Sequence, residues 1–96
     1  MMRKIEKSRE FRHVMKRIES GGQYRRIIKE RLAPALIALA NDEELDYTYH
    51  DHPLIGNWEG FRECHLSFDL LLVYRYEGDD VLWLEKIGSH SEVLGL

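Results

Sequence analysis

The hydrophobic period changes once along this chain, and that change restricts what it can fold into. Phe11, Val14, Met15 and Ile18 recur at i, i+3, i+4 and i+7, the spacing of one helix face. Tyr24, Ile27, Ile28, Leu32, Ala35, Leu36 and Leu39 repeat a helical pattern. Beyond residue 60 the period falls to two, over segments 61–67, 69–76 and 81–87, with Gly78-Asp79-Asp80 as a hairpin turn between the last two. Ile5 among charged neighbours reads as a short edge strand. The order β-α-α-β-β-β is an α+β fold, with an N-terminal helical hairpin packed on a mostly antiparallel sheet. At 96 residues this is one domain, 1–96, too small for a second core or a large cofactor cradle.

Local signals set the boundaries. Ser8 is a suitable N-cap, and Gly21-Gly22 ends the first helix. Pro34 should kink or split the second. Residues 41–58 read as a loop broken by Pro53 and Gly56, long enough to suggest function. Residues 88–94 follow the last strand as a tail.

Composition narrows the setting. No apolar run approaches the roughly 20 residues of a membrane span, so no membrane partner is expected. The charged start, residues 1–7, is unlike a signal peptide. The single cysteine, Cys64, cannot form an internal disulfide, and a reducing cytoplasm fits it. The net charge of −3 hides an asymmetry. Residues 1–40 carry 11 Lys/Arg against 4 Asp/Glu, a net +7; residues 41–96 carry 3 against 13, a net −10. The helices expose Arg9, Arg12, Lys16, Arg17, Arg25, Arg26, Lys29 and Arg31 on their outer faces. No aromatics interleave there, so the surface suggests phosphate contact without base stacking. A solvated basic face explains it equally well.

The chemistry concentrates in the second half. Period two places Phe61, Glu63 and His65 on one strand face and Arg62, Cys64 and Leu66 on the other. Asp69 opens the next strand, where it is expected close to His65. His50 and His52 come from the loop, and His90 follows the last strand. Singly, each histidine reads as structural or solvated. Together they suggest a site, because imidazoles serve as acid and base near neutral pH. His50, His52, His65 and Glu63 could ligate zinc, but their spacing matches no zinc signature, and no metal or cofactor is expected. Cys64 reads as a small core residue.

Three ordered blocks carry a resemblance: Asp51-His52-Pro53-Leu54-x-Gly56-x-Trp58-x-Gly60-x-Arg62-Glu63-Cys64-His65-Leu66, Asp69-Leu70-Leu71-Leu72-Val73-Tyr74-Arg75, and Ile87-Gly88-Ser89-His90-Ser91-Glu92. Over residues 51–94 the chain resembles the YafQ branch of the RelE/ParE toxin superfamily. That resemblance implies a toxin of a type II toxin–antitoxin system, an endoribonuclease that cuts mRNA in the ribosomal A site. It implies a cognate antitoxin, the ribosome and mRNA as partners. It places catalytic roles on His52, His65, Asp69 and His90, with Glu63 assisting. Three positions depart from the family pattern. Lys86 stands where Arg is frequent, Leu94 where an aromatic is usual, and Phe68 where Pro is frequent.

The implied chemistry is metal-free attack of a 2′-oxygen on the adjacent phosphorus. His52 or His65 would be the base, oriented by Asp69, and His90 the acid. Lys86 and Arg62 would hold the phosphate, with Leu94 at the substrate edge. Orientation supplied by the ribosome implies poor cutting of naked RNA. Two alternatives keep the family but not the nuclease: a ParE-like binder that poisons gyrase, and a decayed toxin that only binds its antitoxin. A zinc hydrolase is a third, tested by metal analysis.

Overall fold

The computed structural model describes residues 2–95, and the expected fold class is the one observed. Strand β1 (Lys4–Lys7) is followed by helix α1 (Arg9–Gly21). A helical run over residues 25–40 comprises α2 (Arg25–Ile27), a π-helical turn (Ile28–Leu32) and α3 (Ala33–Ala40). Strands β2 (His52–Pro53), β3 (Arg62–Ser67), β4 (Leu70–Glu77) and β5 (Val81–Gly88) follow, and α4 (His90–Leu94) closes the chain. The sheet order is β1-β5-β4-β3-β2. Only the β1–β5 pairing is parallel.

Ser8 caps α1 as expected. Its Oγ accepts the Phe11 amide at 2.9 Å and donates to the Glu85 carbonyl at 2.6 Å, tying the helix start to β5. Such a cap is worth about 1 kcal/mol. The helix ends on Gly22 at φ +77°. Phe11 is buried, with Val14, Met15 and Ile18 packed on the same core.

Pro34 splits the helical run as expected, but without ending it: α2, a π-helical turn and α3 follow directly on one another, and Ile27, Ile28, Leu32 and Ala33 all keep right-handed helical angles. The turn before the proline widens, and the Ala33 amide bonds the Ile28 carbonyl, five residues back. Proline removes an i→i−4 donor, and a π turn accommodates that loss while keeping Leu32, Ala35 and Leu39 on the core.

Arg31 also departs from its expected outward position. Its guanidinium donates to the carbonyls of Leu66, Thr48 and His65 and to Thr48 Oγ1, at 3.0 to 3.3 Å. It lies over the Tyr49 ring, 3.7 Å from the centroid. The helical run is thereby bolted to the end of β3 and to the turn before His50.

The sheet has two buried faces. One packs on the helices through Cys64, Leu66, Leu72, Tyr74, Leu82, Leu84 and Ile87. The opposite face carries Leu71 and Val73, covered by Val93 of α4 and by Leu54, Trp58, Phe61 and Leu94. The tail after β5 is therefore an element. Ser89 and Glu92 form a reciprocal capping box at its start.

Candidate active site

Cross-strand register builds the site on the second face. His52 of β2 pairs with Glu63 of β3, and Glu63 pairs with Val73 of β4. His65, two residues along β3, shares that face. His90 arrives as the first residue of α4. Gly88 lets α4 approach: a Cβ there would stand 3.2 Å from Glu92 Oε1 and 3.4 Å from Val93 Cγ1.

These elements converge on one carboxylate. Glu63 is 2% exposed. Its Oε1 lies 3.3 Å from His52 Nε2, 3.3 Å from His65 Nε2 and 3.8 Å from His90 Nε2. Its Oε2 is buried without a hydrogen-bond partner. His50 joins the edge, its ring centroid 5.6 Å from that of His65. The His65 and His90 rings meet edge-on at 5.9 Å. His52 and His90 are about half exposed, so an incoming substrate can reach both.

Electrostatics favour the neutral form of His65. Burial pushes the His65 pKa below its ordinary value, Glu63 opposes that, and His50, His90 and His52 push it further down. His65 is thus the imidazole held neutral. Cys64, behind it, has its thiol pushed up to about 12, chiefly by burial. It is a core residue, as its strand face implied.

Several residues singled out from the sequence lie outside this cluster. Asp69 was expected beside His65. It sits in the β3–β4 turn instead, accepting from Tyr24 Oη at 3.2 Å and Ser67 Oγ at 2.9 Å. A register shift between His65 and Ser67 carries it away from the histidine face, and the carboxylate beside the imidazoles is Glu63. Arg62 points from the opposite strand face and donates to Asp51 at 3.2 Å. Lys86 shares the cluster's face through the register with Val73, two strands from Glu63. Its Nζ lies 3.5 Å from Glu10 Oε2 and 5.2 Å from the Trp58 ring centroid. Leu94 packs into the apolar cluster under α4.

Residues 3–95 match the family model described as the bacterial toxin of type II toxin–antitoxin system, YafQ. The chain belongs to the YafQ toxin family. It is 32% identical to the mRNA interferase toxin YafQ of Escherichia coli K12, over 85% of this chain and 99% of that one. The E. coli DinJ–YafQ toxin–antitoxin complex superposes at a TM-score of 0.79 with 32% identity, covering 99% of this chain and 100% of that chain. A copper-bound mutant toxin from Helicobacter pylori superposes at 0.85 with 33% identity, covering 97% and 99%.

One part of this YafQ-family site was missed from sequence. Asp51 accepts from Tyr74 Oη at 2.6 Å as well as from Arg62, and so fixes the residue before His52. Its adjacency to a histidine was the available signal. His50, weighed from sequence among the converging histidines, lies against His65, its backbone left-handed at φ +48°, a conformation histidine adopts more readily than most residues. Ligand atoms of His52, Glu63 and His65 also lie within 4.8 Å of one another, close enough to share one metal ion.

Proposed function

We propose that this protein is the toxin of a type II toxin–antitoxin pair and acts as a ribosome-dependent endoribonuclease on mRNA. The observation that carries the reading is the convergence of His52, His65 and His90 on one buried oxygen of Glu63. A protein that only binds gyrase or an antitoxin has no need of three imidazoles, two of them half exposed, around a buried carboxylate. The mRNA interferase name of the E. coli relative points the same way.

In this mechanism His65, held neutral by burial, takes the proton of the 2′-hydroxyl. The 2′-oxygen attacks phosphorus, the bond to the 5′-oxygen breaks, and His90 donates a proton to that oxygen. His52, in hydrogen-bond contact with Glu63 at 3.3 Å and about half exposed, hydrogen-bonds the phosphorane oxygens. Glu63 fills the orienting role first expected of Asp69. Asp69 shapes the β3–β4 turn. Lys86 lies on the same face as the outlying cation for a flanking phosphate. The cognate antitoxin, the ribosome and mRNA are the partners, in the cytoplasm.

Primer extension on mRNA in a purified translation system tests this. Cuts within codons that require both ribosomes and His90 are expected. Undiminished cutting by His90→Ala contradicts the assignment. Absence of cuts alongside inhibition of gyrase supercoiling favours the binder.

A further inference from the structure

We infer that Phe68 is a stacking platform for the nucleobase next to the scissile phosphate, in a cleft that His50 also lines. The inference rests on the ribonuclease reading above and identifies how the substrate is held. A cleft of about 570 Å³ opens beside the histidine cluster. Phe68, Ser67, His50, His52, His65 and Arg31 line it. Its size lies within the roughly 300–1,000 Å³ of ligand clefts. His52 and His65 are among these residues, so a substrate engaged by those imidazoles has the rest of the cleft beside it.

Phe68 is 92% exposed. A single exposed phenylalanine is ordinary on a surface. This one stands on the rim of the cleft that holds the reacting imidazoles. The turn that presents it is fixed on both sides, since Asp69 accepts hydrogen bonds from Ser67 and from Tyr24. His50 lines the same cleft, its ring centroid 5.6 Å from that of His65. Arg31 bonds carbonyls and the Thr48 hydroxyl and forms no ion pair among the described residues; its charge, which after the hydrogen bonds from Thr48 also helps to hold the Asp46 carboxyl below its ordinary value, adds positive potential to the same cleft. Flat aromatic surface beside positive charge is the chemistry that holds single-stranded RNA with little base preference.

Ribosomes programmed with mRNA carrying a 2′-O-methylated A-site codon test this, because the nucleophile is blocked and binding is read without turnover. Phe68→Ala is expected to weaken binding about tenfold and to raise KM in cleavage of unmodified mRNA, with kcat nearly unchanged. Phe68→Trp is expected to restore both. The exposure of Phe68 leaves the fold intact in either variant, as a matching melting curve would show. Wild-type binding and cleavage by Phe68→Ala, beside an inactive His90→Ala, would overturn the platform and leave the nuclease standing. Loss confined to neutralisation by the antitoxin would also overturn it, making Phe68 a protein contact. Phe68-dependent binding without any wild-type cleavage would keep the platform and remove the nuclease reading.

Discussion

Glu63 Oε1 stands 3.3 Å from His65 Nε2, while Glu63 Oε2 is buried with no partner at all. A carboxylate so placed is costly to keep, because half of its hydrogen-bonding capacity is unmet. Its retention at the centre of three imidazoles is explained by charge placement at the reaction centre, not by stability.

Glu63→Gln separates the two. Replacing a buried, half-satisfied carboxylate by a neutral amide should leave the melting temperature unchanged or raised. Cleavage should fall by about 100-fold, the lower end of acid–base contributions. Differential scanning calorimetry beside single-turnover cleavage reads both. A large fall in stability with activity retained would make Glu63 structural.

The lowered His65 pKa gives a signed pH dependence. Its folded value lies below the ordinary value of about 6.5, so its contribution to stability is fully present above that value. The contribution is lost as pH falls through the folded pKa. The acid limb of activity should accordingly lie below pH 6.5. Glu63→Gln removes the influence that raises the His65 pKa and should move it further down; His50→Ala should move it up. NMR titration of the His65 ring checks each direction.

Gly88→Ala tests how α4 positions His90. The added Cβ would crowd Glu92 and Val93 at 3.2 to 3.4 Å, where α4 packs on β5. The neighbours must give by a few tenths of an ångström, and α4 moves His90 with them. A shift of that size costs roughly a few-fold to tenfold in a reaction needing alignment, against at most about 1–3 kcal/mol of overpacking. Cleavage should therefore drop in protein that remains folded, which separate kinetic and denaturation measurements would show.

Transition metals should inhibit. His52, Glu63 and His65 can converge on one ion, and ligation would occupy the base and its orienting carboxylate together. Added Zn²⁺ should lower cleavage, and a chelator selective for transition metals over Mg²⁺ should restore it. Loss of activity on chelation alone would mean that the chemistry needs the metal.

Much of this was legible in the sequence, for identifiable reasons. Helix period and caps placed α1, since Ser8 and Gly22 act through neighbours within three residues. The edge strand at Ile5 and the three antiparallel strands followed from period two and the Gly78 turn. Three of the four catalytic candidates converge: His65 shares a strand face with Glu63 at a spacing of two, while His52 and His90 are brought to it by strand pairing and by α4, which local sequence does not set. Asp69 failed the geometric expectation because a register shift in the β3–β4 turn is set by pairing and not by local sequence. Arg31 looked like a surface cation; its partners are backbone carbonyls and Thr48, distant in sequence. Strand β2 is two residues long and includes Pro53, too short to carry a period. The π turn at Ile28–Leu32 reflects packing that holds Leu32 and Ala35 inward across a proline.

The most direct test of metal-free acid–base cleavage is the chemistry of the cut ends. Ribosome-bound mRNA cleaved by the protein should carry a 2′,3′-cyclic phosphate on the upstream fragment and a 5′-hydroxyl downstream, with neither formed by His65→Ala or His90→Ala. A 5′-phosphate on the downstream fragment, or cyclic ends still formed by both variants, would contradict it.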